Sequence, residues 1–163
     1  MKNWTELENS SFFDANARER ALGMVDKGTF TEFLNPLDRY CSPHLPVLGT
    51  AVEFDDGTVC GVGLLGKHPV FVVSMEGKFI GGAIGEVNGG KMVATIRLAL
   101  KAAADIKAKY PEEYAARRPL VAVSFETGGV RLQEANLGLA AIADIHAAIV
   151  DLRRYTPVVG IIA

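Results

Sequence analysis

Between Ser124 and Glu134 the chain reads Ser124-Phe-Glu126-Thr127-Gly128-Gly129-Val-Arg131-Leu-Gln-Glu134, so two hydroxyls, two glycines, an arginine and two carboxylates fall close together. The order predicts a buried strand, a Gly-Gly turn and the start of a helix. Such a turn leaves backbone N–H groups free at a helix N-terminus, where the dipole favours negative charge. Gly128 and Gly129 are therefore the candidate catalytic donors to an oxyanion that forms only during a reaction. A tight turn without a ligand is the competing reading of a bare glycine pair. Thr127, Arg131 and Glu134 are the candidate substrate contacts. Arg131 can bind a carboxylate or phosphate through two bonds, or it can pair with Glu126 or Glu134 and hold the turn in shape. Glu126 and Glu134 can act as acid and base, or Glu134 can satisfy the first turn of the helix.

A second glycine-rich stretch runs from Gly77 to Gly90, with six glycines at 77, 81, 82, 85, 89 and 90. It gives the backbone freedom and lets a ligand come close. Gly85 to Lys91 matches most of a phosphate loop, but Met92 stands where Ser or Thr would ligate magnesium, which argues against nucleotide hydrolysis. Glycine amides, a helix N-terminus and Lys91 can still hold an anionic cofactor arm. Alternatively the glycines only shape the turn and Lys91 is solvated. Gly61, Gly63 and Gly66 satisfy a dinucleotide pattern but lie in a strand pair, where close backbone packing is the better reading. His44, His68 and His146 are scattered and read as surface or satisfied histidines, and no metal site is expected. No Gly-x-Ser-x-Gly elbow exists, and Ser124 reads as structural.

The elements that must carry these residues follow from periodicity. A helix is expected from Asp14 to about Asp26, capped by Asp14 and ended by Gly28. Residues 35–46, with three prolines, read as a surface connection. Ala51–Phe54 and Thr58–Leu65 read as strands around the Asp55-Asp56-Gly57 turn, and Pro69–Met75 as a third. Helices follow at about 91–108 and 130–153, with strands at 120–125 and 158–163. Two strand–helix–strand crossovers imply parallel pairing on a covered sheet. The sequence stops on the apolar strand Pro157–Ala163, so the expectation is a piece of a longer polypeptide, or a layer that another chain completes.

Composition sets the wider bounds. The 163 residues suit one domain, and 49% hydrophobic residues exclude disorder. A formal charge of −2 without a long basic run argues against nucleic acid. Cys41 and Cys60 form neither a four-cysteine zinc site nor a disulfide framework, which fits a reducing compartment. The first ten residues are polar and acidic with no apolar signal core, and no run is long enough to span a membrane, so a soluble, cytoplasmic protein is expected.

Three blocks in this order resemble the carboxyltransferase branch of the crotonase superfamily. Ala17-Arg-Glu-Arg to Gly28-Thr-Phe30 looks like its Ala-Arg-Glu-Arg helix with the following Asp-x-Gly-Ser/Thr-Phe. Phe79-Ile-Gly-Gly-Ala-Ile-Gly85, with Gly90-Lys91, looks like its first glycine loop. Thr127 to Glu134 is similar to its Ser/Thr-Gly-Gly-x-Arg-x-Gln-Glu turn and is the most specific block. The Thr-Gly-Gly-Val-Arg variant resembles the β subunits of biotin-independent malonate decarboxylases more than acetyl-CoA carboxylase subunits, whose zinc ribbon this chain lacks. The resemblance implies an α/β, crotonase-like fold of stacked ββα units, of which this chain holds the N-terminal part. It implies decarboxylation of malonyl-S-acyl carrier protein to the acetyl thioester and CO₂, with a γ-type carboxyltransferase partner completing the site. It also implies that Phe79, Gly81, Gly82, Gly85 and Lys91 border the phosphopantetheine-type arm of the acyl carrier protein. The alternatives are a biotin-dependent acyl-CoA carboxyltransferase subunit and a non-catalytic scaffolding subunit or fragment. Family members continue past the last strand into another glycine-rich turn, which this sequence lacks.

Overall fold

The computed structural model describes residues 11–163; the polar first ten residues lie outside it. The first helix, α1, spans Ala17–Gly23. Its cap is Asn16 rather than Asp14: the Asn16 side chain accepts the Glu19 N–H, and Glu19 returns a bond to the Asn16 N–H. Strand β1 (Thr31–Phe33) follows, then a short helix α2 (His44–Val47). The stretch expected as a surface connection is thus partly folded in, with Ser42 and Leu45 buried.

Strands β2 (Thr58–Leu65) and β3 (His68–Met75) form an antiparallel hairpin. The long helix α3 runs Glu86–Lys109, a short α4 covers Tyr114–Arg117, and β4 is Leu120–Phe125. Helix α5 (Asn136–Leu152) and strand β5 (Val158–Ile162) complete the chain. The sheet order is β1-β2-β3-β4-β5, antiparallel from β1 to β3 and parallel from β3 to β5. Both expected crossovers are present, through α3 and α5.

Alternation along the strands sorts the two faces of the sheet. Val70 and Val72 join Ala17 and Ala21 of α1, and Val25 just after it, on one side. Phe71, Val73, Met75, Val121 and Val123 face Ile96, Ala99, Ile145 and Leu152 of α3 and α5 on the other. Two of the three glycines of the apparent dinucleotide pattern serve this packing, and Gly66, at φ 60, turns the β2–β3 hairpin. A side chain at Gly61 would run into Thr31 and Phe30, and one at Gly63 into Val25.

Two expected elements are corrected. Residues 51–54 are not a strand, and β2 pairs instead with β1, which the sequence reading missed. The turn that follows residue 53 is occupied by a buried Asp56 whose carboxylate reaches three other segments, so the chain there is set by the ion rather than by a ladder. The helix expected from Val130 begins six residues later, at Asn136. Between lie a bridge from Val130 to Ile84, a 3₁₀ turn at Leu132–Glu134, and Ala135 at φ 48.

Candidate functional site

Parallel strands β3 and β4 end side by side, with Ser74 opposite Ser124. The two glycine loops leave from those ends and zip together. Gly128 N–H donates to the Gly81 carbonyl at 2.7 Å, Ile84 N–H to the Gly129 carbonyl at 2.8 Å, and Arg131 N–H to the Ile84 carbonyl at 2.8 Å. Gly82, at φ 67, lies so near the 126–127 backbone that a Cβ there would run into the Glu126 carbonyl. All the residues singled out from sequence therefore gather at one end of the sheet, although about fifty positions separate the two loops.

They do not all face outward. An open cleft of about 570 Å³ lies before the zipped loops, lined by Gly77, Gly81, Glu126, Thr127, Gly128 and Ile162 among others. Of the two glycine amides expected to serve an oxyanion, that of Gly128 is taken by the Gly81 carbonyl. The Gly129 amide, at φ 110, donates to the Thr127 hydroxyl at 3.1 Å, a partner on an exposed side chain. The helix dipole invoked for both amides is displaced, because α5 starts seven residues after Gly129.

Arg131 and Glu134 lie beneath the loops, their side chains fully shielded from solvent. Arg131 Nη1 is 2.9 Å from Asp56 Oδ2 and 2.8 Å from Glu134 Oε1, and the guanidinium stacks 5.4 Å from the Phe79 ring. Both carboxylates also cap α3. Glu86 N–H donates to Glu134 Oε2 at 2.6 Å, and Asn88 N–H to Asp56 Oδ2 at 3.0 Å. Asp56 further accepts the Ser42 N–H at 3.0 Å. The α3 N-terminus, expected to hold an external anion, is thus filled by two internal ones.

Lys91 is likewise inside. It is 3% exposed, and its Nζ donates to the Asp55 and Thr58 carbonyls at 2.7 and 2.6 Å. Gly85 packs against the Glu134 carboxylate, where a Cβ would collide, and its N–H donates to Asn88 Oδ1 at 2.7 Å. Of the groups expected at a phosphate, the Gly85 N–H serves the Asn88 side chain and the Lys91 ammonium serves two carbonyls of the chain. Replacing Lys91 with methionine is expected to lower unfolding stability by about 2–3 kcal/mol through two lost charged hydrogen bonds. Urea titration tests this, and an unchanged midpoint would contradict it.

Burial pushes the Glu134 carboxyl up, but donors from Ser42, Glu86 and Arg131 outweigh it and hold it below its ordinary value. Burial pushes Asp56 up despite Arg131 and the two backbone N–H donors. Glu126 is held low: the Gly77 N–H and Arg20 overcome its partial burial. A lowered carboxyl contributes stability present above its unfolded value, lost as pH falls through the folded value. Stability should therefore drop below about pH 4.3, the ordinary glutamate value, and the drop should shrink in Glu134→Gln. Denaturant midpoints from pH 7 downward test this, and equal pH dependence in the two proteins would contradict it.

Asp56, Asn88, Ser42 and Arg20 belong to this site and were not singled out from sequence. Arg131 gave the only signal for Asp56, since a buried guanidinium needs a counter-ion. Arg20 sits with Ala17 and Ala21 on the apolar face of α1, a spacing of three and four residues that was legible. Among the described residues, no group of three or more His, Cys, Asp or Glu is placed to hold a metal, and no helix is long and apolar enough to cross a membrane.

The carboxyl transferase domain family matches residues 14–163. The malonyl-S-ACP:biotin-protein carboxyltransferase MADC of Malonomonas rubra is 54% identical over 162 residues, 99% of this chain and 51% of that protein. A Pseudomonas malonate decarboxylase hetero-tetramer, solved in complex with malonate, matches with a TM-score of 0.82 and 44% identity over 97% of this chain and 54% of that one. Transcarboxylase 12S, solved with methylmalonyl-coenzyme A and methylmalonic acid bound, matches with a TM-score of 0.74 and 26% identity, covering 91% of this chain and 26% of that one. The crotonase-like α/β architecture is the one these carboxyltransferases share. The chain spans about half the length of the curated relatives it matches.

Proposed function

The chain belongs to the carboxyl transferase domain family, and from that membership we propose that its cleft removes the carboxyl group of a malonyl thioester carried on an acyl carrier protein. The observation that carries this reading is the Gly129 amide, which among the described residues donates to the exposed Thr127 hydroxyl, directly after Thr127 and Gly128 in the lining of an open cleft. When the C–C bond to the carboxyl carbon breaks, its electron pair moves onto the α carbon and the thioester oxygen. An N–H donor at that oxygen lowers the barrier, and loss of one such donor typically costs about 2.7–4 kcal/mol. Gly129 is the donor in this reading. Gly128 places it, because its own amide pins the turn to Gly81.

The cleft walls suit a narrow, amide-bearing arm. Gly77, Gly81 and Gly128 line it without side chains, and a Cβ at Gly81 would meet nothing within 4 Å. The phosphopantetheine-type arm would supply the thioester linkage and reach, and belongs to the carrier partner. A γ-type carboxyltransferase subunit is the further proposed partner. The related Pseudomonas decarboxylase is a hetero-tetramer, which supports an assembly of several chains.

Two fates of the carboxyl group follow. Release as CO₂, with a proton added to the α carbon, is the malonate decarboxylase reaction. Transfer to a biotin-bearing protein is favoured by the name of the Malonomonas relative. In that case a ureido nitrogen takes the carboxyl group and gives up its proton. An assay of the assembled complex with malonyl-carrier, with and without a biotin carrier protein, separates them. Acetyl thioester formation without biotin supports release, and formation only with biotin supports transfer. No product under either condition refutes the malonyl-thioester reading.

A further inference from the structure

The cleft has one ionisable side chain among its described lining residues, Glu126, and that side chain is tied to the far side of the sheet. Arg20 of α1 is 1% exposed. Its Nη2 donates to the Met75 carbonyl at the end of β3, at 2.7 Å, and pairs with Glu126 Oε2 just beyond the end of β4. The Gly77 N–H adds a bond to the same carboxylate oxygen at 3.0 Å. Gly77 is itself so close that a Cβ would run into the Glu126 carboxyl group. One guanidinium thus spans the two strand ends from which both glycine loops depart, 55 and 106 residues away in sequence.

We propose that Arg20 is a positioning residue for the acyl site, fixing the spacing of the two glycine loops through Met75 and Glu126 so that the Gly129 amide faces the reacting oxygen. The functional half of this inference rests on the malonyl-thioester reading above. Arg20 touches no substrate in it. The clamp works because Arg20 is inside the apolar α1 face, where its charge has few competitors. The groups that face Glu126 are Arg20 from α1, and the Gly77 N–H and Lys78 from the loop after β3. Lys78 lies on the turn and cannot replace a group that also binds Met75.

The test uses Arg20→Met, Arg20→Lys and Glu126→Gln in the assembled complex. A misplaced donor lowers turnover rather than binding, so kcat should fall on the order of 10-fold to 100-fold in Arg20→Met with KM little changed. Arg20→Lys keeps the charge and should recover part of the loss. The acid limb of the kcat–pH profile should move to higher pH in Arg20→Met and vanish in Glu126→Gln. Unmoved acid limbs, or a loss confined to KM, would overturn the proposal.

A second readout needs no turnover. Carbon-13 labelling of glutamate side chains should show Glu126 titrating at higher pH in Arg20→Met than in the parent protein. An unchanged Glu126 titration overturns the clamp even if activity is low. A parent complex that yields no product, with the Glu126 titration shifted as expected, sinks the malonyl-thioester reading and leaves the clamp standing.

Discussion

Arg131→Met should lower the free energy of unfolding by about 3–5 kcal/mol, a large fraction of the stability of a chain this size. The side chain is fully shielded, and its removal leaves Asp56 and Glu134 without their shared cation. Those carboxylates cannot relax toward water without uncapping α3, since they hold the Glu86 and Asn88 N–H groups. Arg131→Lys should be intermediate. A lysine ammonium can approach one carboxylate but lacks the planar fork that reaches both and stacks on Phe79. Removing all three ionised groups together, often neutral elsewhere, should remain costly here because the α3 caps go with them. Urea unfolding of the four proteins decides the point. A loss below about 1 kcal/mol in Arg131→Met would mean that the triad is solvated in solution, against its complete burial.

Gly129→Val is expected to cut decarboxylation or carboxyl transfer by about 10²–10³ in kcat, the usual cost of a lost oxyanion donor. Gly129 sits at φ 110, where a β-branched residue is strained, so the peptide plane must rotate and carry its N–H away from the cleft. A Cβ at Gly129 meets nothing within 4 Å, so the strain is conformational and the core beneath is untouched. That strain should lower stability by about 1–3 kcal/mol and the melting temperature modestly, so rate is compared on samples shown to be folded. Thr127→Val sharpens the test. It removes the hydroxyl that the Gly129 amide now donates to, so substrate no longer competes with it and KM should fall or hold steady. Turnover retained in Gly129→Val with an intact fold would end the donor assignment.

The two experiments separate roles that look alike along the chain. Thr127, Gly128, Gly129, Arg131 and Glu134 fall within eight residues, yet Thr127 and Gly128 line the cleft, Gly129 follows them, and Arg131 and Glu134 are buried. A substitution at Arg131 should thus act first on stability, and one at Gly129 first on rate.

Residue types and spacing were enough for the elements whose physics is local. Alternating Val residues marked β3 and β4, the Ala- and Leu-rich runs marked α3 and α5, and two crossovers required parallel strands at this end of the sheet. Both glycine loops were legible as turns at strand ends, because clustered glycines after an apolar run break the strand period. Partners at long range were not legible. The sequence has no way to show that the Gly81 carbonyl takes the Gly128 amide, that Asp56 and Glu134 fill the α3 N-terminus, or that Lys91 turns inward to two carbonyls. A backbone amide or a charged side chain has the same identity whether it faces a ligand or a carbonyl fifty residues away. Only packing the loops against one another decided which donors meet backbone carbonyls and which, like the Gly129 amide, meet an exposed hydroxyl.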